Sequence, residues 1–205
     1  MPSEYEAFNP LSLESLAQSV VDALMRQGVH PLPPVEAFAG SGIYAIYYCG
    51  NAPPYEQMPT FNAPSEGRFE RPIYVGKAVP KGARKGGVQF EAGREKSIYN
   101  RLRQHSRSIE AADNLELADF RVRFLVVAPV WIRLAEHLII AEYQPVWNSL
   151  VDGFGNHDPG KGRYDQEVSR WDALHPGRAF ATRLQPPSTF EVQGVMEQVR
   201  NFLAE

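Results

Sequence analysis

The sequence predicts an α/β domain of three short strands and two helices in the order β-β-α-β-α, with a further helix at each end. Two observations carry this. Apolar residues recur at helical spacing in some stretches, and alternate or gather with aromatic and β-branched types in others. The 205 residues, 43% of them hydrophobic, also supply enough apolar surface for one domain with a sizeable core. From Ser12 to Met25, Leu13, Leu16, Val20, Val21, Leu24 and Met25 share a helical face, with Ser12 placed as a cap and Gly28 as a stop. Pro31, Pro33 and Pro34 then form a stiff connector, and Ile43–Tyr48 reads as the first strand. The span Gly50–Arg71, with Pro53, Pro54, Pro59 and Pro64, is a long loop leading to the second strand, Ile73–Gly76; loops of that length are usually functional or mobile. Ser97 is placed to cap a helix to about Ile109, with Ile98, Leu102 and Ile109 as its apolar stripe. In Asp119–Val127, Phe120, Val122, Phe124 and Val126 alternate with polar positions including Arg121 and Arg123, which gives the third strand. Trp131–Tyr143 is a helix ended by Pro145, and Phe190–Leu203 is the terminal helix.

No stretch is apolar and uncharged for the length a membrane span needs, and the start, Met1-Pro2-Ser3-Glu4, lacks the basic-then-apolar pattern of a secretory signal. The expectation is a soluble, cytoplasmic protein with no membrane partner. Cys49 is the single cysteine, which excludes an intrachain disulfide and cysteine-rich zinc sites and leaves it the role of a small buried hydrophobe. The net charge of −3 argues against a nucleic-acid partner until its distribution is read. Between residues 68 and 107, eleven Lys and Arg stand against Glu70, Glu91 and Glu95, a local balance of +8, and the rest of the chain carries −11. One sign gathered in one block is either a solvated face or the footprint of a polyanion, for which nucleic acid is the natural candidate. The glycine-rich basic stretch 77–96 lacks the Gly-x-x-x-x-Gly-Lys-Ser/Thr pattern, so it reads as a loop lying on nucleic-acid backbone rather than as a nucleotide cradle.

Six polar side chains stand out by order and spacing: Tyr44 in Gly42-Ile43-Tyr44, Tyr74 in Tyr74-Val75-Gly76, Arg101 and His105 one helical turn apart, Glu136, and Asn148. Phosphodiester hydrolysis needs a nucleophilic water and charge stabilisation on the non-bridging oxygens, and this set offers both. Glu136 is a hard oxygen ligand suited to Mg²⁺, which accepts one or two protein carboxylates; its plain alternative is a helical glutamate facing solvent. Arg101 presents a planar fork to phosphate, or else makes a surface ion pair. Tyr44, with a reference pKa of about 10, becomes a base where nearby cations and a metal favour its phenolate, and His105 can relay the proton. Tyr74 is placed to hydrogen-bond water or phosphate. Asn148 either steadies the metal geometry through its amide or forms a cap or turn.

Together, Gly42-Ile43-Tyr44, Tyr74-Val75-Gly76-Lys77, Arg101-x-x-x-His105, Glu136 and Asn148 resemble the GIY-YIG nuclease superfamily, with Val75 in place of the isoleucine of the second motif. Leu32-Pro33-Pro34, Pro145-Val146-Trp147-Asn148, Val151-Asp152-Gly153-Phe154-Gly155-Asn156-His157 and the run from Trp171 to Arg178 look like the branch of type II restriction endonucleases that cut the palindrome CCGCGG. For the fold, the resemblance implies a small three-stranded antiparallel sheet flanked by helices. A single domain would then have its core at about residues 40–150, a helical arm over 1–35, and a DNA-contacting loop with the last helix over 151–205. For activity, it implies an endonuclease on double-stranded DNA with one Mg²⁺ per active site on Glu136. Tyr44 would be the general base aided by His105, Tyr74 and Arg101 would act at the phosphate, and Asn148 would support them. Cutting both halves of a palindrome implies a homodimer, and the enzyme class implies a companion DNA methyltransferase in the host. Bases would be read by Arg or Lys on guanine and carboxylates or amides on cytosine, with a flexible Asp152–Arg163 segment carrying Asn156, His157, Lys161 and Arg163 as the candidate; its plain alternative is a solvent loop with two or three turns. Arg84, Lys85 and Arg94 would touch the backbone, and Lys77 would also contact the DNA.

Two other readings fit part of the pattern: a structure-specific repair or recombination nuclease on the same core, and a DNA-binding module without catalysis. Repair nucleases of this superfamily more often carry zinc-binding or helix-hairpin-helix modules, and none is visible. A pure binding module has no need of Tyr44, Arg101, His105, Glu136 and Asn148 together.

Overall fold

Helices cover both faces of a four-stranded antiparallel sheet in the computed structural model, which describes residues 9, 11–80, 95–160 and 162–204. The strands are β1 (His30–Pro31), β2 (Gly42–Tyr48), β3 (Asn62–Ala63), β4 (Arg68–Phe69), β5 (Tyr74–Ala78) and β6 (Phe120–Val126). The helices are α1 (Leu13–Met25), α2 (Met58–Phe61), α3 (Ser97–Glu110), α4 (Pro129–Tyr143), α5 (Val146–Ser149), α6 (Arg170–Leu174) and α7 (Val192–Ala204). The main sheet runs β1-β6-β2-β5, with every pair antiparallel. Three of its strands are those expected; the fourth, β1, occupies what reads in sequence as a proline connector. Pro31 has no N–H to donate, which confines such a strand to a sheet edge, and β1 lies at the edge beside β6. Arg84, Lys85, Arg94 and Lys161 lie outside the described residues.

Strand β2 is central, and all seven of its residues are buried. Side chains alternate across a strand, so Tyr44, Ile46 and Tyr48 enter one core with Ile98, Leu102, Trp147, Trp171 and Val199, while Ile43, Ala45 and Tyr47 enter a second with Val21, Leu24, Ile132 and Ile139. The first core is roofed by α3, α5, α6 and α7, the second by α1 and α4. Helix α1 is capped as its sequence predicts: Ser12 Oγ accepts the Ser15 N–H at 3.0 Å. Ser97, by contrast, is the first residue of α3 rather than its cap, and Lys96 at the cap position makes no side-chain bond. Backbone replaces it. Ile98 N–H donates to Gly40 O at 3.1 Å and Gly40 N–H to Glu95 O at 2.8 Å, tying the start of α3 to the chain entering β2.

The proline-rich span after β2 is a folded excursion rather than a bare loop. It contains α2 and the β3–β4 hairpin, and it buries Tyr55 and Met58 completely. Asn62 closes it: Nδ2 donates to Tyr48 O and Arg71 O, each at 2.9 Å, while Oδ1 accepts from Glu70 N and Arg71 N. One buried amide thus substitutes for a strand partner, which apolar patterning does not reveal. Cys49 is half-buried, and burial pushes its thiol up to about 11. No helix among the described residues is long and apolar enough to cross a membrane.

Candidate active site

Tyr44 and Gly76 face each other across β2 and β5. A Cβ on Gly76 would lie 2.4 Å from Tyr44 Oη, so only glycine lets the phenol lie across the neighbouring strand. Tyr74 projects on the same side, its ring centroid 6.4 Å from that of Tyr44. Helix α3 supplies His105, whose Nε2 is 2.8 Å from Tyr44 Oη and whose ring stacks on Phe154 at 4.5 Å. One turn earlier, Arg101 reaches a cleft of about 510 Å³ lined also by Lys77, Lys96, Asn100 and Gln104. The spacing of Arg101 and His105 therefore does place both at the phenols, with His105 buried and Arg101 partly exposed.

Burial decides the charge states. It pushes the Tyr44 phenol well above its ordinary value of about 10; the Tyr74 charge adds to the rise, Arg101 opposes it and loses, and Glu136 adds a little more. Tyr74 is raised as well, by burial first, against the pull of Arg101. His105 is held well below its ordinary range, chiefly by burial and then by the charge of Arg101. Cations and a metal together were expected to favour a Tyr44 phenolate; in the chain by itself burial outweighs Arg101, so the pKa of the phenol moves up and that of the His105 imidazole beside it moves down.

Glu136 lies on α4, which packs on the opposite face from Tyr44, yet its charge acts on both phenols. Its carboxylate is paired with Lys77 Nζ of β5 and is mostly buried. No group of three or more His, Cys, Asp or Glu that could cage a metal is present among the described residues. With Lys77 as its partner, Glu136 is a single hard-oxygen carboxylate at the edge of the phenol site.

Asn148 uses both ends of its amide on β5: Oδ1 accepts the Val75 N–H at 2.8 Å and Nδ2 donates to Val75 O at 2.9 Å. It steadies the strand between Tyr74 and Gly76, not a metal ligand directly. Behind it runs a directed chain of hydrogen bonds that sequence reasoning missed. Trp147 Nε1 donates to Tyr55 Oη at 2.8 Å, Tyr55 Oη lies 2.8 Å from His175 Nε2, and His175 Nδ1 lies 2.9 Å from Asn114 Oδ1. An indole only donates, so Tyr55 must pass its own proton toward His175. Burial lowers His175 to about 3, keeping it neutral.

The segment after Val151 was expected to be a flexible wrap around DNA. Its start is instead anchored in the core: Phe154, like Val151 before it, is buried, and it touches Trp147 and Trp171. Arg178 holds it. Its Nη1 donates to Phe154 O at 3.1 Å and Asn156 O at 3.2 Å, its Nη2 donates to Gly153 O at 3.0 Å, and Asp172 takes Nε and Nη2 at 2.6 Å each. Glycine is needed at 153, where φ is 106° and a Cβ would stand 2.0 Å from Ser169 Oγ. The turn so fixed carries Gly155 O, 3.1 Å from Arg101 Nη2, and His157 Nε2, 2.6 Å from Arg101 Nη1. Asn156, His157 and Arg163 remain exposed, and Lys77 is half-exposed.

Two phenols on neighbouring antiparallel strands, an arginine and histidine one turn apart on the helix that follows, and a carboxylate from the next helix define the nuclease domain of the GIY-YIG class. The family model described as the Eco29kI GIY-YIG domain matches residues 36–203, and the chain belongs to that family, within the restriction branch of these nucleases. A comparison with curated proteins found no match. Membership makes this a restriction-type nuclease with DNA as its substrate, in a class that generally uses a divalent metal.

Proposed function

We propose that the chain is a type II restriction endonuclease that hydrolyses double-stranded DNA at a palindromic G·C site, CCGCGG, with one Mg²⁺ per active site, acting as a homodimer on cytoplasmic DNA. The observation that carries this reading is the meeting of Tyr44, Tyr74, Arg101 and His105, with the Glu136 charge acting on the same phenols. Tyr44 is the general base by relay: as its oxygen takes a proton from water, its own proton passes to His105 Nε2, 2.8 Å away. Charging that imidazole in isolation is unfavourable, because burial and Arg101 both oppose it. An incoming phosphate reverses the local bias, so the relay is disabled until DNA is seated. Arg101 commits three N–H groups to Gln104, His157 and Gly155, leaving two of its five for the phenols and the non-bridging oxygens. Tyr74 donates to the phosphate. Held by Glu136, Mg²⁺ would supply Lewis-acid polarisation of the phosphate and lower the pKa of water.

Lys77 and Lys96 in the cleft, with Arg84, Lys85 and Arg94, supply backbone contacts; Asn156, Arg163 and Lys161 lie on the segment proposed to read bases. A palindrome is cut on both strands most simply by two copies, each with one such site. A companion methyltransferase would protect host DNA. Digestion of plasmid DNA of known sequence with Mg²⁺ tests the proposal: discrete fragments ending at CCGCGG are expected, and Glu136→Ala should bind DNA without cutting it. Cleavage confined to branched DNA, or an intact plasmid with a band shift, would overturn it.

A further inference from the structure

Arg101 is gripped from outside its own helix by one turn, and one of the two groups that grip it is a titratable side chain with no part in the relay. We infer that His157 is a positioning residue for Arg101, accepting a hydrogen bond from its guanidinium and aiming the remaining N–H groups at the scissile phosphate; this rests on the nuclease reading. The distance from His157 Nε2 to Arg101 Nη1 is 2.6 Å. Arginine has donors only, so Nε2 is the bare nitrogen of a neutral ring and the proton resides on Nδ1. That nitrogen is therefore unavailable to donate to a base edge, the role the sequence suggests for the segment carrying this histidine.

The grip is two-pointed. Gly155 O lies 3.1 Å from Nη2, so both terminal nitrogens are fixed by groups two residues apart. Closeness at this point depends on Gly155, where a Cβ would stand 3.1 Å from Arg101 Nη2 and 3.2 Å from Tyr74 Oη. The turn cannot drift, because the buried Arg178 guanidinium binds the carbonyls of Gly153, Phe154 and Asn156. A long side chain at a partly open cleft loses rotamer freedom only when both ends of its fork are held, and this turn does that before DNA arrives. The charged groups around the ring are Arg101 and Arg178, with Arg163 and Glu167 lining the same cavity of about 270 Å³. Partial burial, Arg101 and Arg178 hold the imidazole below its ordinary range, which preserves the bare nitrogen at neutral pH.

Nitrogen-15 NMR of the wild-type protein near neutral pH reads the tautomer directly. A bare Nε2 with the proton on Nδ1 is expected, and a protonated Nε2 would overturn the inference. In steady-state plasmid cleavage, His157→Ala should lower kcat by about 10²-fold, the scale of a roughly 1 Å misplacement, with KM little changed. His157→Gln, whose amide oxygen restores an acceptor, should recover most of that loss. An unchanged kcat with a raised KM would make His157 a DNA contact and sink the assignment. The tautomer is read whether or not the wild type cuts DNA, so an inert wild-type protein refutes the nuclease reading while the NMR result still decides the pairing.

Discussion

Adding one methyl group at Gly76 probes the site more sharply than removing any polar group. The new Cβ would stand 2.4 Å from Tyr44 Oη, 2.6 Å from its Cζ and 2.9 Å from its Cε2. Carbon atoms settle at about 3.5–4.0 Å, so the ring must withdraw by roughly 1 Å. Tyr44 is fully buried, and its Oη is already bonded to His105 at 2.8 Å, so a withdrawal of that size breaks the bond. Overpacking costs about 1–3 kcal/mol and stranding the buried imidazole acceptor a similar amount, giving an expected loss of about 2–6 kcal/mol for Gly76→Ala. The misplaced phenol should lower the cleavage rate by about 10²-fold. Urea unfolding and single-turnover plasmid cleavage measure the two effects separately. Gly67→Ala is the control: a Cβ there meets nothing within 4 Å, and the only penalty is its left-handed φ of 67°. A Gly76→Ala protein that cuts within about threefold of the wild-type rate would show that Tyr44 placement is not what the reaction depends on.

Acid should weaken the fold through its two buried histidines. Their folded pKa values lie below the unfolded value, so their stabilisation is complete above about pH 6.5 and drains as pH falls, down to about 3 for His175. At pH 5.5 His175 should have lost about 1.4 kcal/mol, with His105 adding in the same direction, and a difference under about 1 kcal/mol between urea unfolding at pH 7.5 and 5.5 would contradict this. Arg178→Met leaves Asp172 as an unpaired buried charge and should cost about 3–5 kcal/mol, with Arg178→Lys unable to restore the two-nitrogen grip. Thermal or urea melts check it; a loss below about 1 kcal/mol would mean the turn holds without its clamp.

Much of this molecule was legible in its residues, and the exceptions have physical causes. The alternation in Phe120–Val126 and the apolar spacing of α1 and α3 respond to burial on a regular period, which patterning detects. Strand β1 has two residues, one of them proline, too short to show any period. The β3–β4 hairpin is organised by Asn62, a single amide whose partners lie up to 14 positions away. At the site, order and spacing singled out Tyr44, Tyr74, Arg101 and His105, but not the balance between them: fully burying Tyr44 outweighs the adjacent guanidinium, and depth is a property of the assembled fold. Arg178 appeared only as the end of a motif, without a role, because its partners, Gly153 to Asn156, are 22 to 25 positions away. The one available hint was the apolar Val151 and Phe154 inside an otherwise polar, glycine-rich stretch.

The amide of Asn148 has an effect beyond the site it steadies. Strand β5 ends the sheet, and an exposed terminal strand offers its unused peptide groups as a template for another chain. Here Val75 is occupied in both directions by Asn148, and Ile73 O accepts the Trp147 N–H at 2.9 Å. The opposite margin is only two residues long and contains a proline. These groups are therefore withheld from the sheet of any second chain, and an Asn148→Leu chain, with that margin uncovered, should be the more prone to clump on storage.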